Sequence, residues 1–264
     1  MNFDTYFDFE NKTERPLERL APGGGYCAIL RTVGCVGDSL ASGEFESMDE
    51  NGEKGYHDMF PYSWGQFLAR DCGSTVYNFS RGGMTAKEYM ESFAAANDFW
   101  NKDLACQAYI LALGVNDIIN AGMPVGDVTD IDLADFRRNK PTFAGYYGGI
   151  VQRLLTIQPK ARFFFVTMPK DENGVRSAAH TKLLHDLTKI FPFSYVIDLD
   201  AYAPAHDLAF KRRFYLGGHL NAAGYLLTAR QIGAYIDYII RQHPADFEQI
   251  GFVGTPWHNA RATW

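Results

Sequence analysis

The sequence predicts a doubly wound α/β fold, in which helices cover both faces of a largely parallel sheet. Five short apolar segments have the composition of buried strands, and segments with apolar residues at helical spacing alternate with them. The predicted strand at 107–113 is almost continuously apolar, as is typical of parallel strands covered on both faces. At 264 residues the chain lies near the upper limit for one hydrophobic core, so we expect a single domain spanning 1–264.

The first half of the chain supplies three of the strands. Residues 1–25 are polar and contain prolines and a glycine run, which predicts an N-terminal covering arm. Residues 43–58 are rich in acidic side chains and predict a solvated loop, and their position directly after Ser39 would also let them rim a site. The remaining predicted elements are a strand at 31–36, a helix at 59–71, a strand at 74–80, a helical segment ending near 95 and the strand at 107–113.

The second half supplies the last two strands and the longest helix. A polar insertion at 120–141 separates it from the first half. Asn221 is well placed to cap the last helix, because its side chain can accept a hydrogen bond from a first-turn N–H group. The predicted elements are a helix at 142–157, a strand at 161–168, a helix that buries Leu183, Leu184 and Leu187, a strand at 195–199 and a helix at 222–242.

The composition excludes several classes of protein. With 47% hydrophobic and 21% charged residues, it is that of an ordinary soluble globular protein. The net charge of −6 argues against a nucleic acid or an anionic membrane surface as partner. No apolar run approaches the roughly 18 residues of a membrane span. The N-terminus lacks the basic and apolar regions of a signal peptide, so we expect a cytoplasmic protein.

The cysteines and histidines predict no metal site and no cofactor. Zinc ligands usually occur in pairs separated by two to four residues, and the cysteines have no such spacing. We therefore expect them to be reduced and structural. The cysteines are Cys27, Cys35, Cys72 and Cys106.

Polar residues follow the ends of three predicted strands. The first strand ends in Gly37-Asp38-Ser39, and Gly83 and Asn116 come just after the second and third strands. His219 lies in the loop before the last helix. Since ligands of doubly wound sheets bind at the carboxyl ends of the strands, these residues predict a common site. A serine hydroxyl is a weak nucleophile alone, so catalysis there requires a base and an oxyanion site.

At these residues the chain resembles the SGNH hydrolases, also called the GDSL esterase and lipase family. Four segments in the right order, spanning about 35–225, carry the resemblance. It implies a three-layer α/β/α sandwich with a five-stranded, parallel, flavodoxin-like sheet. The four segments are Gly37-Asp38-Ser39-Leu40, Asn78-Phe79-Ser80-Arg81-Gly82-Gly83, Gly114-Val115-Asn116-Asp117 and Gly218-His219-Leu220-Asn221-Ala222-Ala223-Gly224-Tyr225.

The resemblance implies a role for each of four residues. Ser39 would be the nucleophile and His219 the general base. The N–H groups of Ser39 and Gly83 and the side-chain amide of Asn116 would stabilise the oxyanion, where losing one donor costs roughly 10²–10³ in kcat. Each residue also has a structural alternative: a helix cap for Ser39, a turn glycine for Gly83, an Asx turn for Asn116 and a surface histidine for His219.

One position departs from the family pattern. The family usually has an aspartate three residues before its histidine, and here that position is Leu216. A backbone carbonyl near Leu216 or Gly217 could hold the imidazole, which would leave a Ser39–His219 dyad. A carboxylate from another loop could substitute, or hydrolysis could have been lost. The nearest carboxylates in the sequence are Asp198, Asp200 and Asp207.

The sequence therefore predicts a serine esterase that forms an acyl-enzyme. By family analogy the substrate is a small acyl ester, with an acetylated carbohydrate as one possibility. No long apolar lid segment is present, which disfavours true lipase action. The alternative is a non-catalytic ligand-binding domain on the same fold, which Leu216 motivates. A nucleotide-binding protein is disfavoured, because the chain has no glycine-rich phosphate loop.

Overall fold

A central sheet of five parallel strands organises the structure, a computed structural model that describes residues 13–260. Two short antiparallel hairpins lie outside this sheet. The strands of the described residues, in chain order, are β1 (Thr32–Gly37), β2 (Glu44–Met48), β3 (Lys54–Asp58), β4 (Thr75–Ser80), β5 (Ala108–Ala112), β6 (Arg162–Val166), β7 (Ser194–Ile197), β8 (Tyr215–Leu216) and β9 (His219–Leu220).

The strand order of the central sheet is β4-β1-β5-β6-β7, and every pairing is parallel. β1 lies inside the sheet, with β4 on one side and β5 on the other. The chain therefore runs from β1 to one edge and then returns to build the other side. Such a reversal leaves a crevice at the carboxyl ends of the strands beside β1. The order confirms the doubly wound, flavodoxin-like sheet predicted from the sequence.

Helices flank the sheet, and several of them are short. The α-helices are α1 (Ser39–Ser42), α2 (Trp64–Cys72), α3 (Ala86–Glu88), α4 (Ala94–Ala96), α5 (Phe143–Ile157), α6 (Ala178–Leu187), α7 (Leu199–Tyr202), α8 (Leu208–Phe214), α9 (Ala222–Gln242) and α10 (Pro244–Phe247). Two π-helical segments occupy Tyr89–Phe93 and Val115–Asn120. Short 3-10 helices occupy Pro22–Ile29, Phe60–Tyr62, Lys102–Leu104, Val128–Asp130, Phe136–Arg138 and Ile250–Phe252.

The two faces of the sheet bury two separate apolar cores. In β5, Ala108 and Ile110 belong to the core that α2 and α9 cover, whereas Tyr109 and Leu111 belong to the core under α5 and α6. This alternation follows from the two-residue period of a strand. With helices on both faces, the molecule is the three-layer α/β/α sandwich that the sequence predicts. Within residues 13–260, no helix is long and apolar enough to cross a membrane.

The segment 43–58 forms a hairpin of β2 and β3, so the prediction of a loop there is wrong. The strands pair antiparallel, with Glu44 opposite Asp58 and Glu46 opposite Tyr56. Asp49 closes the turn by accepting hydrogen bonds from the N–H groups of the residues that follow it. Because this hairpin lies outside the main sheet, its side chains are mostly polar and lack the apolar alternation that signals a strand.

The N-terminal segment packs against α9. The carboxylate of Glu14 lies 2.6 Å from the guanidinium of Arg241 in α9. The 3-10 helix Pro22–Ile29 contacts both α2 and α9. Residues 13–25 thus cover part of the α9 layer. Residues 1–12 of the expected arm lie outside the described residues, and the domain boundary stays a prediction.

Asn221 caps α9, and replacing it should destabilise the fold. Its side-chain oxygen accepts a hydrogen bond of 3.0 Å from the N–H group of Gly224. We expect Asn221→Ala to lower the free energy of unfolding by about 1 kcal/mol, measured by urea denaturation, because a first-turn N–H group loses its partner. Asn221→Asp keeps the acceptor and should retain most of that stability. Equal losses in the two variants would show that the cap contributes nothing.

Candidate active site

Ser39 lies where β1 passes into α1. Asp38 is the N-cap of this short helix and accepts a 3.1 Å hydrogen bond from the N–H group of Leu40. Ser39 is the first helical residue, so its own N–H group has no partner within the helix. Gly37 permits the tight turn, because a Cβ atom there would lie 2.5 Å from the Cβ of Ala41. The turn thus presents both the hydroxyl and the N–H group of Ser39 beyond the sheet.

Gly83 follows β4 in a conformation that favours glycine. Its φ angle is +72°, in the left-handed region where side chains are strained. A Cβ atom built at Gly83 would meet nothing within 4 Å, so the residue borders open space. At the preceding Gly82, a Cβ atom would lie 1.9 Å from Oε2 of Glu44, so the backbone passes directly beside that carboxylate. An N–H donor at Gly83 can therefore be approached closely by a ligand.

Asn116 is held in place by both ends of its amide group. Its Oδ1 atom accepts a 2.8 Å hydrogen bond from Asn120, and its Nδ2 atom donates a 3.0 Å bond to the carbonyl of Met84. An amide nitrogen has two hydrogens, so one donor is left over. The next residue, Asp117, is buried and accepts hydrogen bonds of 2.9 and 3.0 Å from the N–H group of Ala86. Asp117 thus ties the Asn116 segment to the helix that follows Gly83.

His219 lies in a second small hairpin. β8 and β9 pair antiparallel with Leu216 opposite His219, and Gly217 and Gly218 form the turn between them. Gly217 has a φ angle of +67°, which favours glycine at this position. The side chain of His219 is only 18% exposed. The hairpin places the imidazole next to β2.

Two glutamates of β2 flank the imidazole of His219. Oε1 of Glu44 lies 3.0 Å from Nε2, and Oε2 of Glu46 lies 4.0 Å from Nδ1. Nδ1 is buried and has no hydrogen-bond partner among the described residues. Glu46 is itself fixed, because it accepts a 2.7 Å hydrogen bond from the N–H group of Gly218 and pairs with Lys54 at 2.6 Å.

These contacts correct the expectation about the missing aspartate. Within residues 13–260, Glu44 and Glu46 are the carboxylates within 4.0 Å of the imidazole nitrogens. The residues named from the sequence make other contacts. Asp198 binds the imidazole of His185 at 2.9 Å, Asp200 accepts a 3.3 Å hydrogen bond from Thr181, and Asp207 caps α8. The acidic character of segment 43–58, which predicted a rim, was the available signal for the two glutamates.

Burial and neighbouring charges perturb the carboxylates of the site. Desolvation raises the pKa of Glu44, the facing His219 opposes that change, and the carboxylates of Asp58 and Glu46 add to it. The pKa of Glu46 is lowered, first by its hydrogen bond to Lys54. Burial raises the pKa of Asp38 to about 7. The charge pattern around His219 is thus set mainly by the β2–β3 hairpin.

A single pocket of about 350 Å³ brings the predicted residues together. Ser39, Gly83, Asn116 and His219 all line it, and Glu44 joins them. This places a hydroxyl, an imidazole, a backbone N–H group and an amide around one volume. Other residues on the wall are Asp38, Leu40, Val115, Asn120, Arg176, Tyr215 and Gly218. No cluster of three or more metal-ligating side chains occurs within the described part of the chain.

Two further features adjoin this pocket. A mostly apolar cavity of about 70 Å³ shares Leu40 and Val115 with it and extends beneath α9. That volume holds only a few non-hydrogen atoms, since one water needs roughly 10–15 Å³ by the same kind of measure. Next to His219, the ring of Tyr56 lies edge to face with a centroid distance of 5.8 Å. Tyr56 is 55% exposed, so it presents an aromatic surface beside the pocket.

The chain belongs to the GDSL-like lipase/acylhydrolase family, whose model matches residues 35–227. The matched segment contains all four segments that carry the resemblance and both glutamates. A comparison with curated proteins found no match.

Solved carbohydrate esterases share the fold. A family 2 enzyme with a carbohydrate binding domain, from Corynascus thermopiles (Myceliophthora fergusii), is 15% identical, with a TM-score of 0.55 and coverage of 79% of this chain and 66% of that chain. A family two enzyme from Clostridium thermocellum in complex with cellohexaose is 14% identical, with a TM-score of 0.53 and coverage of 86% and 66%. A family 3 enzyme from the same organism is 15% identical, with a TM-score of 0.52 and coverage of 80% and 97%.

The raised pKa of Asp38 predicts that this residue makes stability depend on pH. The unfolded-state pKa of an aspartate is about 3.9, so between about pH 4 and pH 7 the folded protein binds more protons at this site. The contribution of Asp38 to stability therefore falls as pH rises through this window. We expect Asp38→Asn to gain stability relative to the wild type from pH 4 to pH 7, by at most about 4 kcal/mol.

Urea denaturation at several pH values measures this difference. Asp103→Asn is a matched control, because Asp103 is exposed and outside the pocket. Its stability difference from the wild type should not grow over the same pH range. If the difference for Asp38→Asn is also constant with pH, the buried carboxyl is not protonated as its environment implies.

Proposed function

We propose that this chain is a serine esterase that cleaves small acyl esters, with acetyl esters of carbohydrates as the first class to test. The observation that carries the proposal is the pocket lined together by Ser39, Gly83, Asn116 and His219. All four residues lie within the segment 35–227 that matches the model of the GDSL-like family, which supports the proposal. Each supplies one chemical requirement of acyl transfer.

Acylation begins at the hydroxyl of Ser39. Its oxygen attacks the ester carbonyl carbon while Nε2 of His219 takes the proton. The carbonyl oxygen becomes an oxyanion, which accepts hydrogen bonds from the N–H groups of Ser39 and Gly83 and from the free amide hydrogen of Asn116. When the tetrahedral intermediate collapses, His219 returns the proton to the leaving alkoxide. An acyl-Ser39 ester and a free alcohol result.

Deacylation uses the same groups in reverse. A water molecule attacks the acyl carbon, and its proton passes to Nε2 of His219. The oxyanion forms again beside the same three donors. Collapse transfers the proton to Ser39 Oγ and releases the carboxylic acid. The small apolar cavity beside Leu40 supports a short acyl group, since it has room for only a few atoms.

Glu46 is the proposed positioning residue for His219. It approaches Nδ1 at 4.0 Å and is anchored by Gly218 and Lys54. A carboxylate behind this nitrogen stabilises the imidazolium that forms when the ring takes a proton. Hydrogen bonds of this kind are often long before substrate binds and shorten in the complex. Glu46 would thus supply from β2 what the family usually supplies three residues before the histidine.

One observation favours the second candidate, a non-catalytic ligand-binding domain. Nε2 of His219 lies 3.0 Å from Glu44, and in the proposed mechanism Nε2 is the nitrogen that takes the proton of Ser39. If Glu44 holds the imidazole permanently in the protonated form, the serine has no base. A fluorophosphonate probe separates the two functions, because only an activated serine is labelled. Stoichiometric labelling of Ser39, located by mass spectrometry, contradicts the binding-only function.

The central prediction is that Ser39→Ala abolishes ester hydrolysis. We expect its kcat/KM for p-nitrophenyl acetate to fall by roughly 10³-fold or more, because no acyl-enzyme can form. Ser92→Ala is a matched control, since Ser92 is exposed and outside the pocket. The control should hydrolyse the ester at the wild-type rate. Equal rates for the wild type and Ser39→Ala would end the proposal.

A second prediction concerns the pH profile. The carboxylate of Glu44 lies 3.0 Å from Nε2 of His219, the nitrogen that takes the proton of Ser39 in this proposal, and burial raises the pKa of Glu44. We expect Glu44→Gln to move the acid limb of kcat/KM to lower pH, because the variant removes the titrating carboxylate beside that nitrogen. Glu53→Gln, which removes an exposed carboxylate in the turn of the same hairpin, should leave the limb in place. An acid limb that stays at the wild-type pH in Glu44→Gln would contradict this role.

A further inference from the structure

Arg176 is a cation on the pocket wall with little to bind. It lies between β6 and α6, lines the same pocket as Ser39 and Asn116, and its side chain is 26% exposed. The nearest carboxylate oxygen, Oδ2 of Asp171, is 3.8 Å away, too far for a hydrogen bond. A guanidinium carries five N–H donors. Within residues 13–260, none of these donors has a hydrogen-bond acceptor with the geometry of a bond.

The carboxylates near Arg176 neutralise its charge only in part, since the ion pair with Asp171 is long at 3.8 Å. Asp38 lies on the same wall, but burial raises its pKa to about 7, so it is only partly ionised at neutral pH. Glu44, the other acidic residue of the lining, contacts His219. Burial lowers the pKa of His206, and the positive charge of Arg176 adds to that change. Burial raises the pKa of Tyr215, and the charge of Arg176 opposes that change, so its field reaches the pocket wall. The pocket therefore has an acidic side near His219 and a positive charge elsewhere on its lining.

This charge stands out against the rest of the molecule. The chain has a formal net charge of −6, so its overall field disfavours anions. Among the residues that the structure describes, Arg176 is the only lysine or arginine that lines this pocket. A planar guanidinium fork matches the two oxygens of a carboxylate and forms short, charge-assisted hydrogen bonds with them. A pocket of about 350 Å³ has room for a group beyond the ester itself.

We propose that Arg176 binds a carboxylate of the substrate, so that the preferred substrates are acyl esters of hydroxy acids, such as acetylated acidic sugars. This inference rests on the proposed esterase function and adds its substrate class. The ester carbonyl would lie at Ser39 while the carboxylate of the alcohol part pairs with Arg176. Arg176 is a specificity residue in this scheme and takes no part in bond making.

A matched pair of esters tests the proposal. 4-Acetoxybenzoate carries a carboxylate, and 4-acetoxybenzamide replaces it with a neutral group of nearly the same shape. For each ester, kcat/KM is divided by the rate constant of its alkaline hydrolysis. We expect the ratio of this normalised kcat/KM for the benzoate to that for the benzamide to be about ten or more in the wild type. In Arg176→Gln this ratio should fall to about one. The preference of the wild type should also weaken as salt is added.

Two further variants make the result specific. Arg137→Gln removes the same charge from an exposed site outside the pocket and should keep the wild-type ratio. Arg176→Lys keeps the charge but loses the planar fork, so we expect an intermediate ratio. If circular dichroism shows that Arg176→Gln does not fold, Arg176→Lys takes its place in the comparison. A wild-type ratio near one, or a ratio unchanged in both Arg176 variants, would overturn the proposal.

The failure of the esterase function gives a different result. In that case neither ester is hydrolysed and a fluorophosphonate leaves Ser39 unlabelled. Calorimetric binding of 4-hydroxybenzoate and 4-hydroxybenzamide then tests Arg176 directly. Tighter binding of the benzoate by the wild type, lost in Arg176→Gln, supports the anion site without catalysis. Equal binding of the two compounds, or binding of neither, overturns it.

Discussion

The hydrogen bond from the N–H group of Gly218 to Glu46 joins two hairpins that the sheet alone would not bring together. One hairpin follows the serine turn and the other carries His219. Because Glu46 also pairs with Lys54 across its own hairpin, the carboxylate is fixed before any ligand arrives. Gly217 and Gly218 leave space for it, since a Cβ atom at Gly217 would lie 2.4 Å from the Glu46 carboxyl carbon. The orientation of the imidazole depends on this contact.

The parallel sheet and the two hairpins position different residues of the pocket. The sheet places Ser39, Gly83 and Asn116 at neighbouring strand ends, where the connections between strands and helices fix their backbone. The hairpins hold the titratable groups, His219 and Glu44, at the rim. The proposed oxyanion donors and the groups proposed to transfer protons therefore come from different parts of the chain. Substitutions in β2 should consequently change the charges around His219 more than they change the position of Ser39.

The sequence predicted the elements with strong local signals. Buried strands, the cap at Asn221 and the order of the strand-end motifs follow from periodicity and turn chemistry over short windows. The β2–β3 hairpin was missed, because its side chains are mostly polar and lack the apolar alternation that signals a strand. Glu46 was missed as a neighbour of His219 because the hydrogen bond that anchors it joins it to Gly218, 172 positions away in the chain. Arg176 was missed for a related reason: only the fold shows which loop reaches the pocket.

The proposed replacement of a local carboxylate by a distant one would change what His219 can do. β2 brings one carboxylate to each ring nitrogen, Glu44 at 3.0 Å from Nε2 and Glu46 at 4.0 Å from Nδ1. In the proposed mechanism, Glu46 stabilises the imidazolium that forms during the reaction. Glu44, on the opposite side, competes in that mechanism with Ser39 for Nε2. Desolvation raises the pKa of Glu44, which weakens that competition as the carboxylate takes up a proton. In the proposed mechanism, the balance between the two glutamates sets the pH range over which Ser39 has a free base.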